Sequence, residues 1–235
     1  MVADGLCTAV LRLTNAGALE LVAFRRIPEV KRNHTMLLED LKKGAEIVTG
    51  IKRPDWVDVP TRPRKANLYR FKDDRETPNN PHFPLVHYRS AVVLDPAYDP
   101  AAMFEVLFAY YGWVDQWRDG IYPYLHFHTG THEVLGIARG AARVQFGGGH
   151  GRMLNLKPGD VVILPAGTGH RRVRASDDLL VVGAYPKGSR YDEPKPDDVD
   201  PDDARKRIAS VPRPPCDPVY GHEGPLTKVW DLPGE

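Results

Sequence analysis

The chain has 235 residues, of which 42% are hydrophobic and 27% are charged, as in an ordinary soluble protein. Its 32 Lys and Arg nearly balance 31 Asp and Glu, and the net charge of +1 gives no reason to expect a nucleic-acid partner. No apolar run approaches the ~20 residues that span a bilayer and no signal peptide precedes Thr8, so we expect a cytoplasmic protein without a membrane partner. Cys7 and Cys216 are distant and fit no metal spacing, which favours reduced thiols.

The sequence of the first third of the chain predicts few secondary-structure elements. Residues 8–14 and 18–24 alternate like two strands around a turn at 15–17, and residues 36–43 carry leucines at helical spacing. Residues 50–66 hold three prolines among charges, typical of a linker or of a segment laid over a surface. We expect a boundary near Leu68, with an N-terminal extension of unknown family at 1–68 and the main domain at 69–235.

The main domain is predicted to consist mostly of short strands, with two helices. The first helix should be capped by Asp99 and stopped by Gly112, because an apolar stripe at helical spacing lies between them. A second should span 202–208. Glycine and proline turns between strands indicate an all-β sandwich or small barrel. The predicted strands are 84–93, 122–128, 133–139, 142–146, 153–156, 161–164, 171–173 and 179–185.

The stretch from Gly120 to Gly140 carries the strongest chemical pattern. His126 and His128 are two residues apart, so on a strand both imidazoles project from one face and can share a metal ion. Small polar residues suited to a turn follow, and Glu133 then opens the next strand, which returns a carboxylate toward the two histidines.

A second stretch runs from Gly159 to Arg174. A β-prone run ends at a turn that contains Pro165 and Gly167, and His170 begins the strand that follows. His170 is therefore the fourth candidate ligand.

The two stretches resemble the signature motifs of the cupin superfamily. The first motif consists of a glycine, five residues, His-x-His, four residues, a glutamate, six residues and a second glycine. The stretch from Gly120 to Gly140 matches it at every position. In the second only the end departs, where Arg174 stands at the usual asparagine. The resemblance implies a double-stranded β-helix, the cupin jelly-roll barrel, with His126, His128, Glu133 and His170 as ligands of one metal ion.

From Tyr69 almost to its end, the sequence resembles a group of small uncharacterised bacterial cupins of the YjlB type. The resemblance rests on the runs at 71–88, 117–136, 164–171 and 217–230. It adds a fold and a ligand set but no substrate. Small cupins often pair, so it also implies a homodimer.

Three imidazoles and one carboxylate suit Mn, Fe, Co, Ni or Zn, and suit copper(I) or an iron–sulfur cluster poorly. On an octahedral ion, four protein ligands leave two positions for an oxygen substrate or O₂, whereas on zinc they complete a tetrahedron and indicate a structural role. His132 is an alternative to Glu133, because the family tolerates three or four residues before its acid. Strand parity favours Glu133.

Several other residues are candidates for catalysis. Tyr122 and Tyr124 share the parity of the two histidines, so their phenols either line the cavity or fill the core. Arg174, and less strongly Arg172, either grips a substrate carboxylate or reaches solvent. Four further histidines have no partner pattern and are expected on the surface or in loops: His82, His87, His150 and His222.

These patterns support two functional hypotheses. The first is a metal-dependent enzyme, dioxygenase-like or isomerase-like, that acts on a small oxygen-rich molecule. The second is a non-catalytic cupin that binds a metal or small ligand for storage or sensing. Cupins host many unrelated reactions, so the fold alone does not choose between them.

Overall fold

A computed structural model describes residues 54–55 and 59–231 of the chain, together with the backbone of two earlier strands. The chain divides into two compact units, Met1–Thr49 and Gly50–Glu235. In the first unit, β1 (Cys7–Leu13) and β2 (Leu19–Arg26) pair in antiparallel fashion, which confirms both predicted strands. The helix predicted at 36–43 lies outside the described residues.

The second unit is built from two antiparallel sheets that share an apolar interior. One sheet has six strands in the order β3-β4-β9-β6-β11-β5, and the other has three in the order β10-β7-β8. This mainly β architecture agrees with the predicted jelly roll. The strands are β3 (Asn67–Tyr69), β4 (Leu85–Tyr88), β5 (Trp113–Asp119), β6 (Glu133–Arg139), β7 (Ala142–Phe146), β8 (Arg152–Leu156), β9 (Val161–Leu164), β10 (His170–Ala175) and β11 (Leu180–Pro186).

Among the residues that the structure describes, three α-helices flank the sheets: α1 (Pro100–Tyr110), α2 (Pro201–Ala209) and α3 (Pro225–Val229). The first two begin as predicted, because the carboxylates of Asp99 and Asp200 accept hydrogen bonds from main-chain N–H groups of the first turn. Within the described ranges, no helix is both long and apolar enough to cross a bilayer.

Strand β6 shows how the alternation of side chains divides the core. Val134 faces the cluster that contains Phe104 of α1, whereas Leu135 and Ile137 face the interior between the two sheets. Glu133 has the parity of Leu135 and Ile137. Its carboxylate is therefore directed into the interior, where it is 2% exposed.

The segment before Leu68 belongs to the second unit, which differs from the expected boundary. Val59 is buried in its core, the N–H of Arg62 donates to the carbonyl of Ala91, and the N–H of Val93 donates to the carbonyl of Pro60. These contacts hold the segment against the jelly roll, so it is neither a free linker nor part of the first unit.

Two predicted strands are shorter than expected. The strand predicted at 84–93 ends at Tyr88, because the chain turns at Ser90, which has a φ of 47°. The strand predicted at 122–128 is not regular, and only an isolated bridge joins His126 to His170. Pro123 has no N–H to donate to a sheet ladder, which accounts for the interruption.

Candidate metal centre

Three buried histidines converge between the two sheets and could hold a metal ion. We call His126, His128 and His170 the histidine cluster; one ring nitrogen of each lies within 4.8 Å of the others. Paired main-chain hydrogen bonds hold the two segments together, since the N–H of His170 donates to the carbonyl of His126 at 2.9 Å and the reverse bond is 3.3 Å. The cluster therefore forms although His126 and His128 lie outside a regular strand.

Main-chain carbonyls fix the orientation of all three rings. Nδ1 of His126 lies 3.2 Å from the carbonyl oxygen of Tyr124, and Nδ1 of His170 lies 3.1 Å from that of Thr168. Nδ1 of His128 bonds the carbonyl oxygen of Asp192. Because a carbonyl oxygen only accepts, each Nδ1 carries the proton, and each Nε2 presents its lone pair when the ring is neutral. This arrangement is typical of metal-ligating histidines.

Glu133 lies beside the cluster, as predicted. Its Oε2 is 3.4 Å from Nε2 of His128 and 3.4 Å from Nε2 of His170. Oε2 of Glu133 and Nε2 of His128 are buried, and neither makes a hydrogen bond with the described residues. Two ligands that are each about 2.1 Å from one ion lie roughly 3 Å apart, so the separations and the unpaired atoms fit a shared cation.

The electrostatics of the centre also suit a cation. Burial alone would raise the pKa of Glu133, but the neighbouring His128 and His170 outweigh it and hold that pKa well below its ordinary value. Burial alone would lower the pKa of His128, but the interaction with Glu133 outweighs burial and raises that pKa. Burial, followed by the adjacent His170, lowers the pKa of His126 to about 3. A divalent cation between these groups would favour the ionised carboxylate of Glu133 and the neutral form of the imidazoles.

His132, the alternative to Glu133, faces away from the cluster. Its Nδ1 accepts from the N–H of Ala166 at 2.9 Å, and its Nε2 lies 3.2 Å from the carbonyl oxygen of Pro212. Its ring also packs against Trp230, with ring centroids 4.7 Å apart. Both nitrogens are thus engaged, and burial lowers the pKa of His132 to about 3. We interpret His132 as a neutral core residue.

A cavity of about 500 Å³ opens onto the cluster. Ile121 and Leu135 contribute apolar surface, and Trp117, Tyr122, Tyr185 and Tyr191 contribute aromatic rings. This volume lies within the range of small-molecule sites. The cavity gives a small ligand access to Glu133 and to all three histidines.

The candidate catalytic residues Tyr122, Tyr124 and Arg174 differ in their position relative to the cavity and His126. The rings of Tyr122 and Tyr124 stack with centroids 4.8 Å apart and lie beside His126, as parity predicted. Tyr122 lines the cavity. Arg174 is exposed and is not among the described residues that line it, because the register of β10 against β7 shifts between Arg172 and Arg174 and breaks the alternation from His170.

Two tyrosines that sequence reasoning missed are close to the cluster. Tyr185 lies on β11, its oxygen accepts a 2.9 Å hydrogen bond from the indole of Trp117, and its ring centroid is 5.8 Å from that of His128. Burial, together with the charge of Glu133, raises the pKa of Tyr185 well above its ordinary value. The Tyr191 centroid is 5.3 Å from that of His128. Neither residue belongs to a motif, and the one available signal was the parity of Tyr185 on a predicted strand.

Tyr122, Tyr191 and Glu193 line the cavity, and Tyr124 contacts Tyr122 and Glu193. We call these four residues the mouth of the cavity, because the three tyrosines are exposed to solvent. The carboxylate of Glu193 accepts hydrogen bonds from the phenols of Tyr124 and Tyr191, one on each oxygen. The ammonium group of Lys195 lies 4.8 Å from the Tyr124 ring centroid. Glu193 therefore fixes two of the rings at the entrance.

Of the four histidines expected on the surface or in loops, His82, His150 and His222 are exposed as expected, but His87 is fully buried. Its Nε2 is 3.3 Å from Oδ2 of Asp160, which is also buried. His87 lies on β4, whose residues are buried on both faces of the sheet, so the surface prediction was wrong for this residue.

No family model matches the chain. The uncharacterized protein YjlB of Bacillus subtilis (strain 168) is 38% identical to it over 167 residues, which are 71% of this chain and 98% of YjlB. The chain belongs to the YjlB family. The relationship confirms the YjlB-type resemblance predicted from the sequence.

Parts of larger solved proteins also resemble this YjlB-family chain. A mutant of Bacillus subtilis oxalate decarboxylase is 24% identical, with a TM-score of 0.28 over 48% of this chain and 22% of the decarboxylase. The 11S globulin of Wrightia tinctoria is 16% identical, with a TM-score of 0.29 over 39% of this chain and 29% of the globulin. The chain thus spans less than a third of either protein. The decarboxylase has Mn(II) centres.

Proposed function

We propose that this chain is a metal-dependent enzyme, dioxygenase-like or isomerase-like, that acts on a small oxygen-rich molecule. In this proposal, His126, His128, Glu133 and His170 bind one divalent transition metal ion, which is Fe, Mn, Ni, Co or Zn. The observation that carries it is the set of three imidazoles, whose Nδ1 atoms bond to carbonyls and which converge at a cavity, with Nε2 of His128 and Nε2 of His170 each 3.4 Å from Glu133.

The donor set and its surroundings support a catalytic centre over a closed structural one. His126, His128, Glu133 and His170 would hold the ion, which would supply Lewis acidity to an oxygen-bearing ligand in the cavity. The cavity lies on the open side of the cluster, where a ligand can approach. Ile121 and Leu135 limit the water around it.

Protein groups beyond the four ligands could assist the chemistry. Tyr185 accepts from Trp117, so its own proton is free to be donated toward Glu133 or toward an oxygen of a bound molecule. Its raised pKa keeps that proton in place at neutral pH. Tyr122 and Tyr124 remain candidate catalytic residues on the opposite side of His126, and Arg174 has the weakest case because it does not line the cavity.

The proposal extends to assembly and domain organisation. We infer a cytoplasmic homodimer, tested by light scattering of the purified protein. We also propose that the extension, residues 1–68, is an interaction module. Because residues 59–66 contact the jelly roll, the deletion that tests this proposal should remove residues 1–49, the first compact unit, and unchanged oligomeric state and solubility would oppose it.

Elemental analysis tests the metal site. Protein prepared without chelators or affinity metals should contain one metal ion per chain, and the variants His128→Ala and Glu133→Gln should lose most of it. The control His132→Gln changes the adjacent histidine and should keep the metal. A wild-type protein that contains no metal, and takes none up on reconstitution, would refute the site.

Turnover tests the enzymatic part. Iron-, manganese-, nickel- and cobalt-loaded protein should consume O₂ with a phenol or dicarbonyl substrate, or isomerise a carbonyl compound. A stoichiometric metal without turnover across such a panel would instead support the non-catalytic storage or sensing cupin.

A further inference from the structure

Carboxylates dominate the charged groups around the cavity that leads to the histidine cluster. Besides Glu133, the described lining residues include Asp115, Asp119 and Glu193, against Arg118 as the lone lysine or arginine. Asp115 and Asp119 are exposed and Glu193 is half-buried, whereas the three histidines of the cluster are buried. A negatively charged ligand would meet them before it reached the cluster.

Arg118 is not available to offset this charge. Its Nε and Nη2 donate to the two carboxylate oxygens of Glu105 at 2.6 and 2.8 Å, and its Nη1 donates to Asp99 at 2.7 Å. A guanidinium that bridges two carboxylates in this way contributes a net negative group to its surroundings. Arg118 therefore offers no free positive charge to a ligand carboxylate or phosphate.

Aromatic residues also line the cavity. Trp117, Tyr122, Tyr185 and Tyr191 line the cavity, and the face of an aromatic ring attracts cations. The ammonium of Lys195 over the ring of Tyr124 is an example at the mouth itself. Lys195 offsets part of the acidic charge there, but three carboxylates outnumber it.

The backbone of β5 brings one of these carboxylates to the cavity at a conformational cost. Asp115 has a φ of 53°, in the left-handed region, at the point where the register of β5 against β11 shifts between Gly183 and Tyr185. Non-glycine residues adopt this region infrequently, although aspartate tolerates it better than most. The irregularity places an acidic side chain among the lining residues.

We propose that the cavity selects a ligand with a cationic ammonium group at its outer end and chelating oxygens at its inner end. The inference rests on the proposed metal site, which would hold the oxygens. Carboxylates and aromatic rings together recognise ammonium groups, whereas a dianionic ligand would find no unpaired lysine or arginine among the described residues of the cavity.

Three catechols with the same chelating head test the charge preference. Dopamine, 4-methylcatechol and 3,4-dihydroxybenzoate carry side groups of charge +1, 0 and −1 at neutral pH. Their dissociation constants should be measured by calorimetry on protein whose metal content is determined in the same sample. Dopamine should bind at least fivefold more tightly than 4-methylcatechol, and 3,4-dihydroxybenzoate should bind more weakly than both.

Two variants that each remove one carboxylate charge test which residues cause the preference for dopamine. Glu193→Gln and Asp119→Asn should each bring the affinities for dopamine and 4-methylcatechol closer to equality, and higher salt should do the same. The control Asp197→Asn changes an exposed carboxylate of a short 3₁₀ helix that does not line the cavity, and should leave the preference unchanged.

The outcomes separate this inference from the proposed function. If the protein carries its full metal complement, three results would overturn the charge preference alone. These are equal affinities for the three catechols, tightest binding of 3,4-dihydroxybenzoate, and no binding of any catechol. A protein that does not load metal would overturn the proposed function and the preference that rests on it. A dopamine preference that is unaffected by both variants would overturn the assignment to these carboxylates.

Discussion

The indole nitrogen of Trp117 donates a 2.9 Å hydrogen bond to the phenol oxygen of Tyr185. The two residues lie on the neighbouring strands β5 and β11, and Gly183 is paired opposite Trp117. A Cβ at position 183 would lie 2.0 Å from the indole ring, so glycine is needed for the ring to lie against β11. This contact fixes Tyr185, whose phenol interacts with Glu133.

We predict that Tyr185→Phe weakens metal binding. The variant removes the phenol beside Glu133 and leaves the Trp117 N–H without its acceptor. Loss of such an outer contact typically reduces metal affinity by about 10-fold or more, and the unpaired donor should lower the free energy of unfolding by about 1–2 kcal/mol. Competition with a chelating dye and urea denaturation measure the two effects. The control is Tyr69→Phe, because β3 forms the opposite edge of the six-stranded sheet. An affinity equal to wild type would show that the phenol does not act on Glu133.

Asp192 should support His128 through the main chain. Its Oδ1 accepts from the N–H groups of Thr129 at 2.7 Å and Gly130 at 3.1 Å, while its carbonyl oxygen bonds Nδ1 of His128. We expect Asp192→Ala to release this turn and to raise the metal dissociation constant by roughly 10-fold. Asp197→Asn is again a suitable control. If the variant retains wild-type affinity, the carboxylate does not orient His128.

The pH dependence of stability should report the neutral state of His132. Its pKa is lowered to about 3 in the folded protein, whereas it is about 6.5 in an unfolded chain. Above pH 6.5 neither state binds the proton. Between pH 6.5 and 3 only the unfolded state does, so stability falls as the pH falls, by up to about 1.4 kcal/mol per pH unit.

In the variant His132→Gln this contribution should disappear. Chemical denaturation of chelator-treated protein between pH 6.5 and 4.5 should show a shallower loss of stability than wild type, although the variant is less stable at pH 7. His82→Gln, which replaces an exposed histidine, should retain the wild-type slope. Parallel slopes for His132→Gln and wild type would contradict a neutral buried His132.

Asp217 should be a key residue of the C-terminal segment. Its carboxylate accepts from the phenol of Tyr88 at 2.5 Å and from the N–H groups of Val219, Tyr220 and Leu226 at 2.8 to 3.1 Å. Asp217→Asn replaces one accepting oxygen with a donor that faces other donors. We expect a loss of about 2–3 kcal/mol in the free energy of unfolding, measured by urea denaturation at pH 7. Metal content should be unchanged, and a stability equal to wild type would count against the network.

Three of the four candidate ligands could be found from the sequence because their spacing is local. His126, His128 and Glu133 are separated by few residues, and a turn returns the chain, so periodicity and turn chemistry suffice to bring them together. The same reasoning chose Glu133 over His132 from parity, and the hydrogen bonds of His132 agree with that choice.

Other parts of the site depend on features that local patterns do not reveal. The shift in register after Arg172 breaks the alternation on which the Arg174 prediction relied. Tyr191 and Glu193 follow β11 in a segment without regular secondary structure, and β5 has weak alternation with Asp115 in a left-handed conformation. These residues reach the cavity through long-range packing, which sequence spacing does not encode.

Three consecutive residues, Tyr191, Asp192 and Glu193, belong to both the mouth and the support of a candidate ligand. The first and third contribute a ring and a carboxylate to the entrance, and the carbonyl of the second bonds His128. A molecule that shifts Tyr191 and Glu193 on binding would therefore also shift the main-chain carbonyl of Asp192, which bonds the imidazole of His128. Because thermodynamic coupling is reciprocal, metal binding would change the affinity of the entrance for that molecule by the same factor. The absorption or paramagnetic spectrum of a cobalt-substituted protein would then sense ligands that never touch the metal.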